Sequence, residues 1–191
     1  MASLARLWFG CPRRVGGRLK LITLQKAYDR FAPRYDEIFV HQQSPKIEAL
    51  AAALPRPLPT PVLDLGAGTG LARRLLADDV SGPWWSVDAS RLMLEQAAGP
   101  RILGDLYRLP LRDDCAGLAL CVTALLDFVD PGPALHEMAR VLRPGGWLAL
   151  SVLKIEAIAA VQTGLADAGF TVTARLDLEQ DLGFVCRRPG P

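Results

Sequence analysis

What the sequence lacks narrows it before any motif is read. No apolar run approaches the ~18 residues that a membrane span requires. Histidine is scarce, with only His41 and His136. The cysteines at 11, 115, 121 and 186 form no C-x-x-C pair and stand at no ligand-like spacing from either histidine. That excludes a zinc site and a disulfide framework. It reads as free thiols in a reducing compartment, with Cys121 and Cys186 as core packing. There is no acid before Asp29: residues 1–26 hold Arg6, Arg13, Arg14, Arg18, Lys20 and Lys26 against none. Since the whole chain carries +2, the remainder is mildly acidic, which argues against a broad nucleic-acid-binding face. Internal repeats and low-complexity segments are absent.

What is there suits one domain with one full core: 191 residues, half of them apolar and 22% charged. Two regions are expected. Residues 1–22 form a basic, flexible arm, acid-free and interrupted by Gly16-Gly17, that reads either as a frayed start or as a mitochondrial presequence. The corresponding compartments are cytoplasm and mitochondrial matrix. Residues 23–191 form the domain, opened by lid helices over about 24–54.

The stretch Val62-Leu63-Asp64-Leu65-Gly66-Ala67-Gly68-Thr69-Gly70 organises that domain. It predicts a buried strand over 61–65, a glycine turn, and a helix from about Thr69 with Leu71, Leu75 and Leu76 on one face. Glycines here let a ligand lie against bare main chain, and Asp64 faces a cationic or hydroxyl group on it. The dinucleotide fingerprint G-x-G-x-x-G fails, because its third glycine falls on Leu71. The spacing G-x-G-x-G, with an acid two residues ahead, resembles motif I of the class I S-adenosylmethionine (SAM)-dependent methyltransferases.

Further stretches resemble the same family. Tyr28-Asp29-Arg30-Phe31-Ala32-Pro33-Arg34-Tyr35-Asp36 is similar to the Y-D-x-x-A-x-x-Y-D box of small-molecule members, including quinone C-methyltransferases and malonyl-carrier-protein O-methyltransferases. Arg143-Pro144-Gly145-Gly146-Trp147-Leu148 resembles the L-x-P-G-G-x-L signature. The resemblance implies a Rossmann-like, doubly wound α/β sheet of seven strands, mostly parallel with the last antiparallel. SAM would lie across the carboxyl ends of the first strands. It also implies the cofactor residues. Asp64, Gly66, Ala67, Gly68 and Gly70 cradle the donor. Asp88, after strand two (Trp84–Val87), accepts from the ribose hydroxyls. Ala89 and Met93 border the adenine. Asp105 and Leu106, after strand three (Arg101–Leu103), meet the adenine edge. Cys121 closes strand four, whose end faces the transferred methyl. Tyr28 touches the cofactor from the lid.

The residues leave other readings open. Tyr28, Phe31 and Tyr35, at i, i+3 and i+7, also make a packing stripe. Met93 also reads as core, and Asp105 as a surface turn residue. No N-P-P-Y follows strand four, and Leu126 and Asp127 stand where the family often has histidine. The catalytic base is left unassigned among Tyr28, Tyr35, His41 and Asp127. Ser44 and Pro45 predict a separate helix over 44–54. Helices are also expected over 133–142, with His136 in solvent, and over 155–168. Strand five is expected over 147–152, and closing strands over 170–176 and 184–186. Nothing long separates strand five from the next helix, so residues 1–45 would roof the acceptor site. The expected activity is methyl transfer from SAM to a small or carrier-bound acceptor, without metal or nucleic acid, by a monomer or homodimer. The alternatives are a non-catalytic SAM-fold partner protein and an NAD(P)-binding oxidoreductase.

Overall fold

The computed structural model describes residues 25–125, 129–154 and 158–190. The arm expected at 1–22 lies outside them, as does Asp127. Seven strands, β1 (Val62–Leu65), β2 (Trp84–Asp88), β3 (Arg101–Leu103), β4 (Ala116–Val122), β5 (Leu142–Leu153), β6 (Thr171–Leu178) and β7 (Asp181–Arg187), form one sheet. Their order is β3-β2-β1-β4-β5-β7-β6. The first five run parallel, and β7 is antiparallel to both neighbours, as the family resemblance implied. Order reverses between β1 and β4. That is the switch point where open α/β sheets bind ligands at the carboxyl ends of their strands.

Alternation along the strands builds two cores. Leu63, Ala119, Cys121, Leu148, Leu150 and Phe184 face one side, where α5 (Gly132–Val141) and α6 (Ile158–Asp167) bring Leu135, Met138, Val161 and Leu165. Val62, Trp84, Leu118, Leu120, Ala149 and Val185 face the other, against Ile47 and Leu50 of α2 (Tyr35–Ala52) and Leu71 and Leu76 of α3 (Leu71–Leu76). Leu63, Leu118, Leu148 and Leu150 are fully buried. Each contributes about 1.5–3 kcal/mol by leaving water.

Some local expectations are corrected. The helix expected over 44–54 is the second half of an 18-residue helix, α2, and Ser44 caps nothing. Pro45 sits inside it because its missing N–H orphans a carbonyl on the side of His41 and Gln42, which are exposed to water. The buried side, with Lys46, Ile47 and Leu50, keeps the helix docked. Upstream, α1 (25–31) does not run straight into α2: Ala32–Arg34 tighten into a 3-10 turn around Pro33, which has no amide for the α pattern. On α3 the buried residues are Leu71, Ala72 and Leu76, whereas Leu75 is 37% exposed. Strand β5 starts at Leu142 rather than Trp147. The Arg-Pro-Gly-Gly stretch continues the ladder, with the Gly145 amide donating to the Arg188 carbonyl and the Arg188 amide to the Gly146 carbonyl.

Candidate active site

The turn after β1 is anchored by backbone. The amides of Gly66 and Ala67 both donate to the Val87 carbonyl, at 2.8 and 3.0 Å. Gly66 has φ +72°, and a Cβ there would lie 2.3 Å from the Cβ of Ala124. Gly68 has φ +54°, with the Met93 methyl 3.1 Å from where its Cβ would be. Gly66 therefore requires glycine for conformation and for space, and Gly68 chiefly for conformation, since the methionine end can shift. Met93, in the short helix α4 (Arg91–Leu94), is buried and floors the turn.

Two acids flank this turn. Asp64 is 3% exposed, and its Oδ2 has no hydrogen-bond partner. Burial, and then the charge of Asp88, push its carboxyl up to about 7. Asp88 is anchored instead: its Oδ2 accepts from the Gly68 amide at 2.8 Å and its Oδ1 from the Ser90 amide at 2.7 Å. Burial raises its pKa, against the pull of those amides. Each oxygen keeps acceptor capacity for a hydroxyl. Cys121 is fully buried behind the site, its thiol pushed up by burial and then by Asp64.

The N-terminal helices lie across these loops. The Gln25 amide nitrogen donates to the Ala89 carbonyl at 2.6 Å, and the Ser90 hydroxyl to Asp29. Gln96 donates to the Ala32 carbonyl, and Thr69 and Arg74 both donate to Asp36. The rings of Tyr28 and Tyr35 are 6.3 Å apart and those of Tyr35 and Phe39 4.7 Å. Tyr28 keeps 36% of its surface exposed, yet burial and then Asp88 raise its hydroxyl's pKa. Burial raises Tyr35 too, followed by Tyr28 and Asp88. The two tyrosines thus lie within reach of the charge on the acid after β2.

The loop after β3 closes the far side. Asp105 is exposed, and its Oδ1 accepts from the Tyr107 amide at 2.9 Å, an Asx turn. Leu106 reaches to within 3.9 Å of where a Gly66 Cβ would be. Arg140 and Glu137 of α5 pin this loop: Arg140 donates to the Leu111 carbonyl at 2.7 Å, and Glu137 accepts from the Leu109 amide at 2.7 Å. Tyr107 turns a buried, unpartnered hydroxyl inward, pushed up to about 12 by burial and then Asp105.

Of the candidate bases, Tyr35 lies in the roof and His41 is exposed on α2. Sequence reasoning missed Thr123, Ser151, Lys46 and Asp181, which meet where β4 and β5 end and β7 begins. The available signal was a lysine inside an otherwise apolar helix face and an acid opening the last strand.

The geometry fits SAM. A buried carboxylate oxygen without a partner suits a cationic amino group, and the crowded glycine turn offers bare main chain beside an acid able to take ribose hydroxyls. Among the described residues no helix is long and apolar enough to cross a membrane.

Residues 63–150 match a family model described as a methyltransferase domain. A malonyl-[acyl-carrier protein] O-methyltransferase from Dechloromonas aromatica is 36% identical over 143 residues, 73% of this chain and 54% of the relative. A demethylmenaquinone methyltransferase from Mycolicibacterium paratuberculosis is 43% identical over 91 residues, 46% of this chain and 39% of the relative. The chain spans about half the length of the malonyl-[acyl-carrier protein] O-methyltransferases it matches, 54% in the Dechloromonas case. Among solved structures, a Haloferax volcanii protein described as a putative methyltransferase, in complex with the Trm112 methyltransferase activator, aligns at TM-score 0.75 and 22% identity. The alignment covers 85% of this chain and 97% of that one. The 1,6-didemethyltoxoflavin-N1-methyltransferase of Burkholderia thailandensis, with S-adenosylhomocysteine bound, aligns at TM-score 0.72 and 17% identity over 92% of each chain. At these identities the structures establish the fold.

Proposed function

The chain belongs to the SAM-dependent methyltransferases, and on that premise we propose that it transfers the methyl group of SAM to a small-molecule or carrier-bound acceptor. One observation carries the reading: Asp64 buries a carboxylate oxygen with no partner beside a glycine turn that excludes side chains. An isolated buried carboxylate is costly, and a cationic group brought by a ligand would offset that cost. Asp64 is therefore assigned to the amino group of the cofactor, Asp88 to the ribose, and Met93, Ala89, Asp105 and Leu106 to the adenine side.

Bound SAM supplies a methyl on a positively charged sulfur, already a good leaving group. The chain's own residues have to align donor and acceptor and exclude water. The turn around Gly66 and the wall at Ala124 fix the floor. Tyr28, Tyr35 and Phe39 form the roof, held by Asp29 and Asp36. An acceptor that ionises on its own needs no base here. The acceptor is placed among small or carrier-bound metabolites because the chain beyond residue 26 carries net negative charge, which disfavours nucleic acid. The working form is proposed to be a monomer or homodimer, which light scattering would determine.

Calorimetry with S-adenosylhomocysteine, NAD and ATP tests the cofactor. Micromolar binding of the first alone is expected, and binding of NAD instead would overturn the reading. Transfer of labelled methyl is then screened over metabolite acceptors, starting with malonyl-[acyl-carrier protein] and demethylmenaquinone, the acceptors named for its relatives.

A further inference from the structure

Five polar side chains converge at the carboxyl ends of β4 and β5 and the start of the antiparallel β7: Gln43 and Lys46 from α2, Thr123 after β4, Ser151 in β5 and Asp181 opening β7. The Lys46 ammonium lies 2.7 Å from Asp181 Oδ1 and 3.3 Å from Thr123 Oγ1. Asp181 Oδ2 accepts from the Thr123 hydroxyl at 2.7 Å and from the Ser151 hydroxyl at 2.8 Å. Gln43 Oε1 lies 3.2 Å from the same threonine oxygen. Lys46 is 7% exposed, and Asp181 and Ser151 are fully buried.

A buried ion pair is weak evidence for stability, because desolvation offsets much of the Coulombic gain. What this one holds is more informative. Thr123 is β-branched and has φ +53°, in the left-handed region that such residues rarely occupy. That conformation persists only where the surroundings over-determine it, and such sites cluster at functional centres. Here its amide donates to both the carbonyl and the hydroxyl oxygen of Ser151, each at 3.0 Å, while its own hydroxyl is held by Asp181. The next residue, Ala124, is the one that leaves no room for a side chain at Gly66. A continuous path therefore runs from α2 through Lys46, Asp181, Thr123 and Ala124 to the glycine turn.

We propose that Lys46, Asp181 and Ser151 are positioning residues, which act through Thr123 to hold the acceptor-side wall of the site against the donor-side turn. The proposal rests on the methyltransferase reading above. No proton is routed through the cluster: Asp181 already receives three donors, and its part is to fix a backbone. Because Gln43 and Lys46 belong to the roof helix, seating that helix and shaping the wall are one event.

The test uses full-length protein labelled with 13C at alanine methyls, and S-adenosylhomocysteine as the probe. In the wild type, the methyls of Ala89, next to Asp88, and of Ala124, against Gly66, are both expected to shift on addition. Lys46→Met with Asp181→Asn removes both charges and leaves an oxygen for Thr123 and Ser151. Expected in this variant is an affinity within about threefold of wild type and a normal Ala89 response. The Ala124 signal should split, broaden or lose most of its shift. A wild-type Ala124 response would reduce the cluster to packing and overturn the proposal. Should that variant fail to fold, Ser151→Ala leaves the ion pair in place and must show the same selective change at Ala124, and its absence is equally fatal. If neither methyl of the wild type responds, the cofactor reading itself falls, an outcome distinct from a selective loss.

Discussion

The amide of Gly68 donates to Oδ2 of Asp88 at 2.8 Å, so the turn after β1 and the end of β2 are one unit. The same carboxylate receives the Ser90 amide through its other oxygen. An acid that the resemblance assigns to ribose recognition thus also ties together the loops after β1 and β2.

Asp88→Ala should therefore do two things. It removes the acceptor for the cofactor and frees two loop amides. S-adenosylhomocysteine affinity is expected to fall by about 1.5–3 kcal/mol, measured by calorimetry. Unlike a contact residue, Asp88 should also lose amide protection at 66–70 and 89–91 without ligand. An affinity within a factor of about two of wild type would make it an ordinary turn residue.

The raised carboxyl of Asp64 gives a pH dependence with a definite sign. Its folded value, about 7, lies above the ordinary carboxylate value of 3.8. The unliganded protein therefore holds a proton that the unfolded chain has released, and this contribution to stability is lost as pH rises from about 4 through about 7. A cationic amino group reverses the preference by favouring the carboxylate. Ligand affinity should rise with pH across about 6–8, with proton release detectable by calorimetry in buffers of different ionisation enthalpy. Asp64→Asn should abolish that release. Release that persists in this variant would assign the proton to another group.

Gly66→Ala carries two penalties, a left-handed φ of +72° and a Cβ 2.3 Å from that of Ala124. The first is worth about 1–2 kcal/mol and the overpacking about 1–3 kcal/mol. Adding Ala124→Gly should recover only the second. Denaturant melts of the single and double variants measure the split. Full recovery would mean that backbone conformation costs nothing at this turn.

Asp36 accepts from Thr69 and Arg74, and Asp29 from Ser90, so the N-terminal helices are latched to the loops after β1 and β2. Hydrogen exchange over 25–40 should slow on adding S-adenosylhomocysteine, and Asp36→Ala should speed it in the free protein. Tyr28→Ala should weaken binding more than Tyr35→Ala, because Tyr28 keeps part of its surface exposed and has Asp88 as the leading charge on its hydroxyl. Protection unchanged by ligand would make the segment plain core.

Much of this was legible in the chain itself. The glycine spacing, Asp64, Asp88 and strand alternation follow from local chemistry: a turn that crowds out Cβ atoms needs glycine, and a strand packed on both faces needs apolar residues at consecutive positions. Hence β3 and the end of β2 fall where expected, and Asp64 lies buried beside the turn. Pro45 misled because a proline opening a helix and one tolerated on a wet helix face look identical in sequence. Asp105 looks the same whether it closes an Asx turn, as it does here, or also meets a ligand.

The polar cluster was beyond reach. Lys46 and Asp181 are 135 residues apart, and although Lys46 interrupts an apolar helix face, nothing local pairs it with that acid. Only the order of the sheet, which sets β7 between β5 and β6, brings that acid under α2. The sequence determined which short segments turn, pair and alternate, since those properties depend on each residue and its near neighbours. The tertiary structure decided which charges lose water together, because desolvation depends on everything that packs around them.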